Sequence, residues 1–295
     1  MSIRSSLPKF LSAISIISII ALLSLSLIGC GGKGNGIQIK GSDTMVNLGQ
    51  AWAESYMKTH PAVSIAVTGG GSGTGIAALL SNTTNIAECS RNMEDKEIAM
   101  AKAKGINPYE IKVAIDGLSV VVNPKNPVSK LSIPQLSNIY IGKITNWKQV
   151  GGPDRKIVAL SRERNSGTHI VFLDDVVKLG NKKSTNEFAN TVLMMPSSQT
   201  IVEEVASNAD AIGYLGLGYL NNRIKALAVA KNAAGPYIQP DLKTVADGQY
   251  PLARPLMFYT NGKPAGMVAD FVSYVLSAEG QAIVKKMDFV PLKSK

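Results

Sequence analysis

Short turns of small polar residues interrupt the apolar segments of this chain, and they constrain its fold more than any other feature. Four such turns follow predicted strands: Gly41–Met45, Gly69–Gly75, Ser90–Met93 and Ser166–Thr168. Helical patterns follow at least three of them, as at Leu48, Trp52 and Tyr56, which repeat at a spacing of four. Strands that alternate with helices in this way predict an α/β protein with mainly parallel sheets.

The chemistry of these turns favours a site for a small oxyanion. The start of a helix presents free N–H groups and a partial positive charge, and Ser and Thr hydroxyls add donors at the same place. Glycine lets the backbone approach a bound group closely. Any single turn is explained better by ordinary helix capping. The recurrence of the pattern at strand ends, where open α/β sheets bind ligands, favours one shared anion site.

Two charged residues stand out beside these turns. Arg162 precedes Ser166 by four residues and would add charge-assisted donors. Asp116 interrupts the apolar run "VAIDGLSVVV", where a charge is costly unless it is paired. It is either a turn residue before a glycine or a carboxylate that faces the ligand. A carboxylate would accept the hydrogen bond of hydrogen phosphate and repel sulfate, which carries no proton. Either Arg162 or Arg91 could pair with it, and the sequence leaves that choice open.

Motifs of common enzymes do not fit the same residues. The glycine run has no Lys after it, so it is not a Walker loop, and it does not match the dinucleotide-binding pattern. Ser72 lacks the glycine two residues later that a nucleophile elbow requires. His169 is expected to face solvent or to cap a helix rather than to act as a base beside Ser166. A secreted phosphatase or esterase that uses Ser72 or Ser166 stays open as the enzymatic alternative.

Metal and nucleic-acid functions are not expected. The chain has two cysteines and two histidines, too few for a typical zinc site, and no cofactor motif is visible. Its net charge of +10 is not organised into runs of Lys and Arg with interleaved aromatic residues.

The N-terminal segment indicates export and anchoring. Arg4 and Lys9 form a basic start, and an uncharged apolar run follows, which is typical of a secretion signal. The run is also close to the length of an uncleaved membrane anchor. Its end, Leu27–Cys30, resembles a bacterial lipobox. We therefore expect residues 1–30 to be a lipoprotein signal peptide, Cys30 to be lipidated, and residues 31–36 to be a flexible tether.

Several segments together carry a resemblance to a known family: "GSDTM", "GGGSGTGI", "SRNM", "AIDGLSVVVNPKNPV", "IYIGKITNW", "SRERNSGT" and "RPLMFYTNG". They resemble the PstS-type family, the phosphate-binding lipoproteins of the phosphate ABC importer, over essentially the whole mature chain. The resemblance implies a type II periplasmic-binding-protein fold, with two α/β lobes, a two-strand hinge and a ligand cleft between the lobes.

The same resemblance implies a function and its partners. A monomeric extracytoplasmic receptor, held at the membrane through Cys30, would capture inorganic phosphate and deliver it to an ABC permease with a cytoplasmic ATPase. It would not be an enzyme and would need no cofactor. A receptor or sensor for another tetrahedral oxyanion is the alternative.

The resemblance and the turns together give these expected phosphate-binding residues: Ser42, Asp43, Thr44, Met45, Ser72, Gly73, Thr74, Ser90, Arg91, Asp116, Arg162, Ser166, Gly167 and Thr168. Some family members have an aspartate in the third turn, where this chain has Ser90 and Arg91. The acceptor role therefore moves to Asp116, with Asp43 as the fallback.

The lobes are also predicted from the resemblance. Residues 37–116 and 255–295 would form lobe one, and residues 117–254 would form lobe two. The strands near Lys112–Val122 and Arg254–Thr260 would form the hinge.

Overall fold

The computed structural model of the protein describes residues 36–293. The predicted signal peptide, Cys30 and residues 31–35 of the predicted tether lie outside this range. Among the described residues, no helix combines the length and the apolar character that crossing a membrane requires.

Strands and helices alternate along most of the chain. The strands are β1 (Gly36–Gly41), β2 (Ser64–Thr68), β3 (Ile86–Cys89), β4 (Pro108–Val122), β5 (Lys130–Ser132), β6 (Val158–Arg162), β7 (Leu193–Met195), β8 (Ala211–Gly216), β9 (Lys225–Ala226), β10 (Ala228–Ala230) and β11 (Ala253–Asn261). The helices are α1 (Val46–Thr59), α2 (Ser72–Leu80), α3 (Asp95–Ala103), α4 (Ile133–Tyr140), α5 (Gly167–Phe172), α6 (Ser198–Ser207), α7 (Leu242–Ala246), α8 (Gly266–Leu276) and α9 (Ala278–Lys286). Single 3-10 turns cover Asp43–Met45, Trp147–Val150 and Leu217–Tyr219, and a π-helical turn, Leu173–Val177, continues α5.

The main sheet is mixed rather than mainly parallel, so the prediction of mainly parallel pairing is wrong. Its order is β2-β1-β3-β11-β4-β8-β6-β7. Pairing is parallel from β2 through β1 to β3 and from β8 through β6 to β7. The strand β11 is antiparallel to both of its neighbours, and β4 is antiparallel to β8.

The long strand β4 joins the two halves of the sheet. The sequence leaves open whether Asp116 is a turn residue, but the structure has one continuous strand of 15 residues at this position. Its first part pairs with β11 as far as Gly117, and from Leu118 onward it pairs with β8. Asp116 therefore lies inside a strand and not in a turn.

The hydrophobic core divides on either side of this change of partner. One large cluster packs Ile37, Trp52 and Phe258 around α1, α8 and α9. Another packs Tyr140 and Phe172 with neighbours from β4, β8 and α4. The molecule thus has two lobes: lobe one carries β1–β3 and the β11-paired part of β4, and lobe two carries β6–β8. The lobe limits given above stay a prediction.

Local sequence signals account for several helix ends. The Oγ of Ser132 caps α4 by accepting the N–H of Gln135. The last helical segment divides into α8 and α9 at Ser277, whose Oγ accepts the N–H of Gly280 at 3.3 Å. Gly280 itself allows close packing, because a Cβ there would lie 2.3 Å from the carbonyl oxygen of Tyr274.

Candidate functional site

Threonine side chains from the two lobes meet between them. Thr44 lies in the turn after β1, and Thr168 lies in the turn that opens α5. Their hydroxyl oxygens are 2.8 Å apart, and both residues are buried. Residues separated by more than a hundred positions in the sequence thus contribute donors to one place.

A cluster of serine hydroxyls from lobe one adjoins these threonines. The Oγ of Ser42 donates to the Oγ of Ser90 at 2.9 Å, and the Oγ of Ser72 accepts the backbone N–H of Ser90 at 3.1 Å. Gly167 of lobe two lies directly against them. A Cβ at Gly167 would be 2.3 Å from the Oγ of Ser72 and 2.8 Å from that of Ser90. The glycine is therefore what allows the fourth turn to reach the serine cluster.

An ion pair between neighbouring strands adds charge to this cluster. The Nε and Nη2 of Arg254, on β11, donate to one Asp116 carboxylate oxygen at 2.9 and 2.8 Å. The other oxygen of Asp116 accepts the backbone N–H of Leu217 at 2.9 Å. Asp116 has no exposed surface. The partner of Asp116 is therefore Arg254, and not Arg162 or Arg91 as the sequence suggested.

The guanidinium group of Arg254 also reaches the threonines. Its Nη2 donates to the hydroxyl oxygen of Thr168 at 3.0 Å and to that of Thr44 at 3.4 Å. Its Nη1 is buried and has no hydrogen-bond partner among the described residues. An uncommitted charged donor thus lies among hydroxyls and beside a carboxylate, which is the composition of a site for a protonated anion.

Arg162, in contrast, is engaged by protein groups. Its Nη1 contacts the carboxylate of Asp43 and the Oγ of Ser198, each at 2.9 Å. Its Nη2 donates to the carbonyl oxygen of Pro196 at 2.9 Å. Burial lowers the pKa of the guanidinium group, and the charge of Asp43 opposes that effect. The positive charge of Arg162 is therefore balanced by Asp43.

Other predicted site residues have partners of their own. Arg91 makes a double hydrogen bond with the carboxylate of Glu97, at 2.7 and 2.8 Å. The hydroxyl of Thr74 donates to the carbonyl oxygen of Gly70. The backbone N–H of Gly73 donates to the carbonyl oxygen of Asn165 at 2.9 Å. Ser166 caps α5, and Met45 is buried in the core of lobe one.

The predicted residues thus fall into two groups. The structure brings together Ser42, Thr44, Ser72, Ser90, Asp116, Gly167 and Thr168. It adds Arg254, which the sequence reasoning assigned only to a hinge strand. The sequence signal for Arg254 was a single cation at the start of the apolar segment "RPLMFYTNG". That Arg254 lies opposite Asp116, however, depends on the register of β11 and β4 in the folded sheet. No group of His, Cys, Asp and Glu suited to a metal ion occurs between residues 36 and 293.

The histidine beside the fourth turn is buried, so the expectation that it faces solvent or caps a helix is wrong. The Nδ1 of His169 lies 3.1 Å from the Oγ of Ser161, and its ring packs on Phe188. Burial lowers its pKa from 6.5 to about 4. The ring is therefore neutral at physiological pH and forms no pair with Ser166 Oγ, which accepts a backbone N–H.

The depressed pKa of His169 predicts a specific loss of stability in acid. The unfolded chain binds a proton near pH 6.5, whereas the folded protein does so only near pH 4. The contribution of neutral His169 to the free energy of unfolding is therefore fully present above pH 6.5. It is lost as the pH falls towards 4, and the loss is roughly 3 kcal/mol. In His169→Gln, the free energy of unfolding in urea should fall less between pH 7 and pH 4.5 than in the wild type. Equal slopes would contradict this role.

Comparison with known proteins defines first the class of this protein. A family model described as "PBP superfamily domain" matches residues 31–279. The two lobes, joined by long strands and with a donor cluster between them, agree with that match. The chain is a binding protein of the PBP superfamily.

Curated relatives then identify the family. The phosphate-binding protein PstS of Pseudomonas aeruginosa PAO1 is 30% identical over 272 residues, which cover 86% of this chain and 82% of that protein. PstS of Bacillus subtilis strain 168 is 32% identical over 258 residues, covering 87% and 80%. The chain belongs to the PstS family of phosphate-binding proteins, which confirms the resemblance drawn from its motifs.

Solved structures agree with this assignment. A protein of Clostridium perfringens, assigned to a phosphate ABC transporter and solved with bound phosphate, superimposes with a TM-score of 0.78 at 30% identity. The match covers 88% of this chain and all of that one. An ABC-type phosphate transport receptor of Vibrio cholerae gives a TM-score of 0.69, also at 30% identity, with 87% of this chain and all of that one covered. The predicted two-lobed binding-protein fold is confirmed.

Proposed function

We propose that this chain is the extracytoplasmic receptor that captures inorganic phosphate between its lobes and delivers it to an ABC permease. The observation that carries the proposal is the guanidinium group of Arg254: its Nη2 donates to the hydroxyls of Thr44 and Thr168, and its Nη1 is buried without a partner among the described residues. A guanidinium nitrogen without a partner is costly in a protein interior, so an anion at this point would stabilise the closed molecule. The names of the PstS relatives support phosphate as that anion.

The donors suit a dehydrated tetrahedral ion. Arg254 supplies a charge-assisted bond, and the hydroxyls of Thr44, Thr168 and the serine cluster supply neutral ones from both lobes. One oxygen of Asp116 accepts both bonds from Arg254, whereas the other accepts only the backbone N–H of Leu217 and keeps a further lone pair. That lone pair can accept the O–H of hydrogen phosphate. Sulfate offers no such proton, and the buried carboxylate would repel it.

The two crossing strands supply a hinge. β4 and β11 run side by side from lobe one to the point where β4 changes partner. Small backbone changes there would separate Thr44 from Thr168 and open the site, whereas closure would bury the ion. The direct contact of these hydroxyls, 2.8 Å apart, supports the assignment of this structure to the closed form.

Catalysis is not supported by the geometry around the candidate nucleophiles. In the described structure the hydrogen-bond partners of Ser72 Oγ are Ser90 atoms, and Ser166 Oγ accepts a backbone N–H of α5. Neither serine lies beside a histidine ring or another base, as nucleophilic catalysis requires. The relatives are named as binding proteins. We therefore propose a receptor without bond chemistry.

The predicted anchor and oligomeric state complete the proposal. Cys30 would carry lipid and hold a monomeric receptor at the outer face of the membrane, beside the permease. The lipobox-like sequence supports this arrangement. Mass spectrometry of the mature N-terminus should find a lipid-modified cysteine. An unmodified Cys30 in the mature protein would contradict the anchor.

Calorimetry tests the binding function directly. The protein, freed of endogenous ligand by unfolding and refolding, should bind phosphate and arsenate and should bind sulfate far more weakly. Tighter binding of sulfate would favour the alternative oxyanion receptor. The same preparation should leave a chromogenic phosphate ester intact, and turnover that depends on Ser72 or Ser166 would favour the phosphatase.

The close approach of Gly167 gives a further prediction. In Gly167→Ala, the new methyl group would displace the Oγ atoms of Ser72 and Ser90 or hold the lobes apart. We expect phosphate affinity to fall by about tenfold or more, because misplaced donors lose their bonds to the ion. The melting temperature without phosphate should change little, because the crowding arises between lobes. Unchanged affinity would show that the fourth turn lies outside the ligand site.

A further inference from the structure

We propose that Asp43 is not a ligand of phosphate but a latch that holds the two lobes closed around it. This inference rests on the proposed receptor function. Asp43 was expected to bind phosphate or to replace Asp116 as its acceptor. The structure gives its carboxylate other partners, all of them in the opposite lobe.

The contacts of Asp43 cross the cleft from lobe one. Its carboxylate lies 2.9 Å from the Nη1 of Arg162, at the end of β6. The same oxygen accepts the backbone N–H of Ser198, in the first turn of α6, at 2.8 Å. The carbonyl oxygen of Asp43 accepts the hydroxyl of Tyr219 at 2.8 Å. Any separation of the lobes at the hinge must break all three contacts.

The latch is adjacent to the ligand donors without being one of them. Asp43 directly precedes Thr44, so the turn that supplies a hydroxyl to the site also supplies the carboxylate of the latch. Closing the latch therefore places Thr44 against Thr168. The positive charge of Arg162 is balanced by Asp43, whereas the Nη1 of Arg254, whose Nη2 contacts Thr44 and Thr168, has no partner among the described residues.

Burial makes the latch depend on both partners. The side chain of Arg162 is only 2% exposed and that of Asp43 is 18% exposed. Without the carboxylate, closure would bury the charge of Arg162 unpaired, which is strongly unfavourable. In an open molecule water would solvate Arg162. The loss of Asp43 therefore penalises the closed form selectively and lowers the apparent affinity for a ligand that binds that form.

A second set of contacts also crosses the cleft but differs in strength. The Nδ2 of Asn165 donates to the carbonyl oxygen of Gly70 at 2.8 Å, and these groups are exposed and uncharged. Water can replace such a bond at little cost. The variant Asn165→Ala should therefore weaken phosphate binding less than Asp43→Asn does.

The test compares Asp43→Asn with the wild type in phosphate binding and release. We expect affinity to fall by about tenfold or more, mainly through faster release, because the closed population is smaller. The ratio of phosphate to sulfate affinity should not change, since Asp43 does not contact the ion. The melting temperature without phosphate should also stay the same. The control Glu203→Gln removes an exposed carboxylate paired within lobe two and should bind as the wild type does.

Several outcomes would overturn the latch. Unchanged affinity in Asp43→Asn would do so, and a changed phosphate-to-sulfate ratio would show that Asp43 contacts the ion. If Asp43→Asn destabilised the phosphate-free protein by as much free energy as it removes from phosphate binding, Asp43 would have a purely structural role. Spin labels on Lys58→Cys and Lys148→Cys measure the closed fraction independently of any ligand. If the wild type fails to bind phosphate, the proposed function is wrong. The latch is then tested by the spin labels alone, and a closed fraction in Asp43→Asn equal to that of the wild type would contradict it.

Discussion

Replacing Arg254 by methionine is expected to lower phosphate affinity by about a hundredfold or more, the largest effect of any substitution proposed for this protein. Methionine keeps much of the volume but removes the charge and every donor directed at Thr44, Thr168 and the ion. Loss of one partner of a buried charged hydrogen bond typically costs about 3–5 kcal/mol, which corresponds to this change in affinity. Isothermal calorimetry with phosphate measures it.

Two further variants make this test specific. Arg254→Met leaves the carboxylate of Asp116 without its partner, so circular dichroism must show that the variant is folded. Arg254→Lys keeps the charge, but a single ammonium group cannot donate to Asp116 and to the ion at the same time, as the guanidinium group can. This variant should therefore also bind phosphate weakly. Arg223→Met removes an exposed arginine paired with Glu203 and should bind normally. Wild-type affinity in Arg254→Met would refute the role of Arg254.

Replacing Asp116 by asparagine is expected to narrow the preference for phosphate over sulfate by about tenfold to a hundredfold. The amide nitrogen donates instead of accepting, so the hydrogen bond from the O–H of phosphate is lost while the repulsion of sulfate is relieved. The phosphate affinity should fall and the sulfate affinity should rise. Competition calorimetry with both anions gives the ratio.

The control for Asp116 is an exposed aspartate in lobe two. Asp154 pairs with Lys148 at the surface, and Asp154→Asn should preserve both affinities. If Asp116→Asn keeps the wild-type ratio, another group accepts the proton of phosphate. A fall in both affinities by the same factor would assign Asp116 only to positioning Arg254, with which it pairs at 2.8 Å.

Much of the fold could be predicted because its signals are local. The start of α4 follows from Ser132 and Gln135, which lie within one turn of each other. Small polar turns after strands marked Thr44, Ser72 and Thr168, and the structure places these residues in one cluster. Each of these signals depends on neighbours a few positions away, where helix and turn geometry are set by backbone sterics and capping.

The partners of the charged residues could not be predicted in this way. The sequence indicated Arg162 or Arg91 as the ion-pair partner of Asp116, because both lie beside the predicted turns. In the structure, Arg162 forms an ion pair with Asp43, Arg91 with Glu97, and Arg254 with Asp116. Residues 116 and 254 face each other only through the antiparallel register of β4 and β11, which the sequence pattern does not specify.

The sequence by itself thus determined the class of the protein, its alternating strands and helices, and the small polar turns that supply hydroxyl donors. Only the tertiary structure decided that Arg254 holds Asp116 and that the carboxylate of Asp43 crosses to the other lobe. The physical reason is the sequence separation over which the two kinds of interaction act. Turn and helix preferences act over a few residues, whereas the pairing of buried charges is fixed by long-range strand register and by the cost of leaving any of them unpaired.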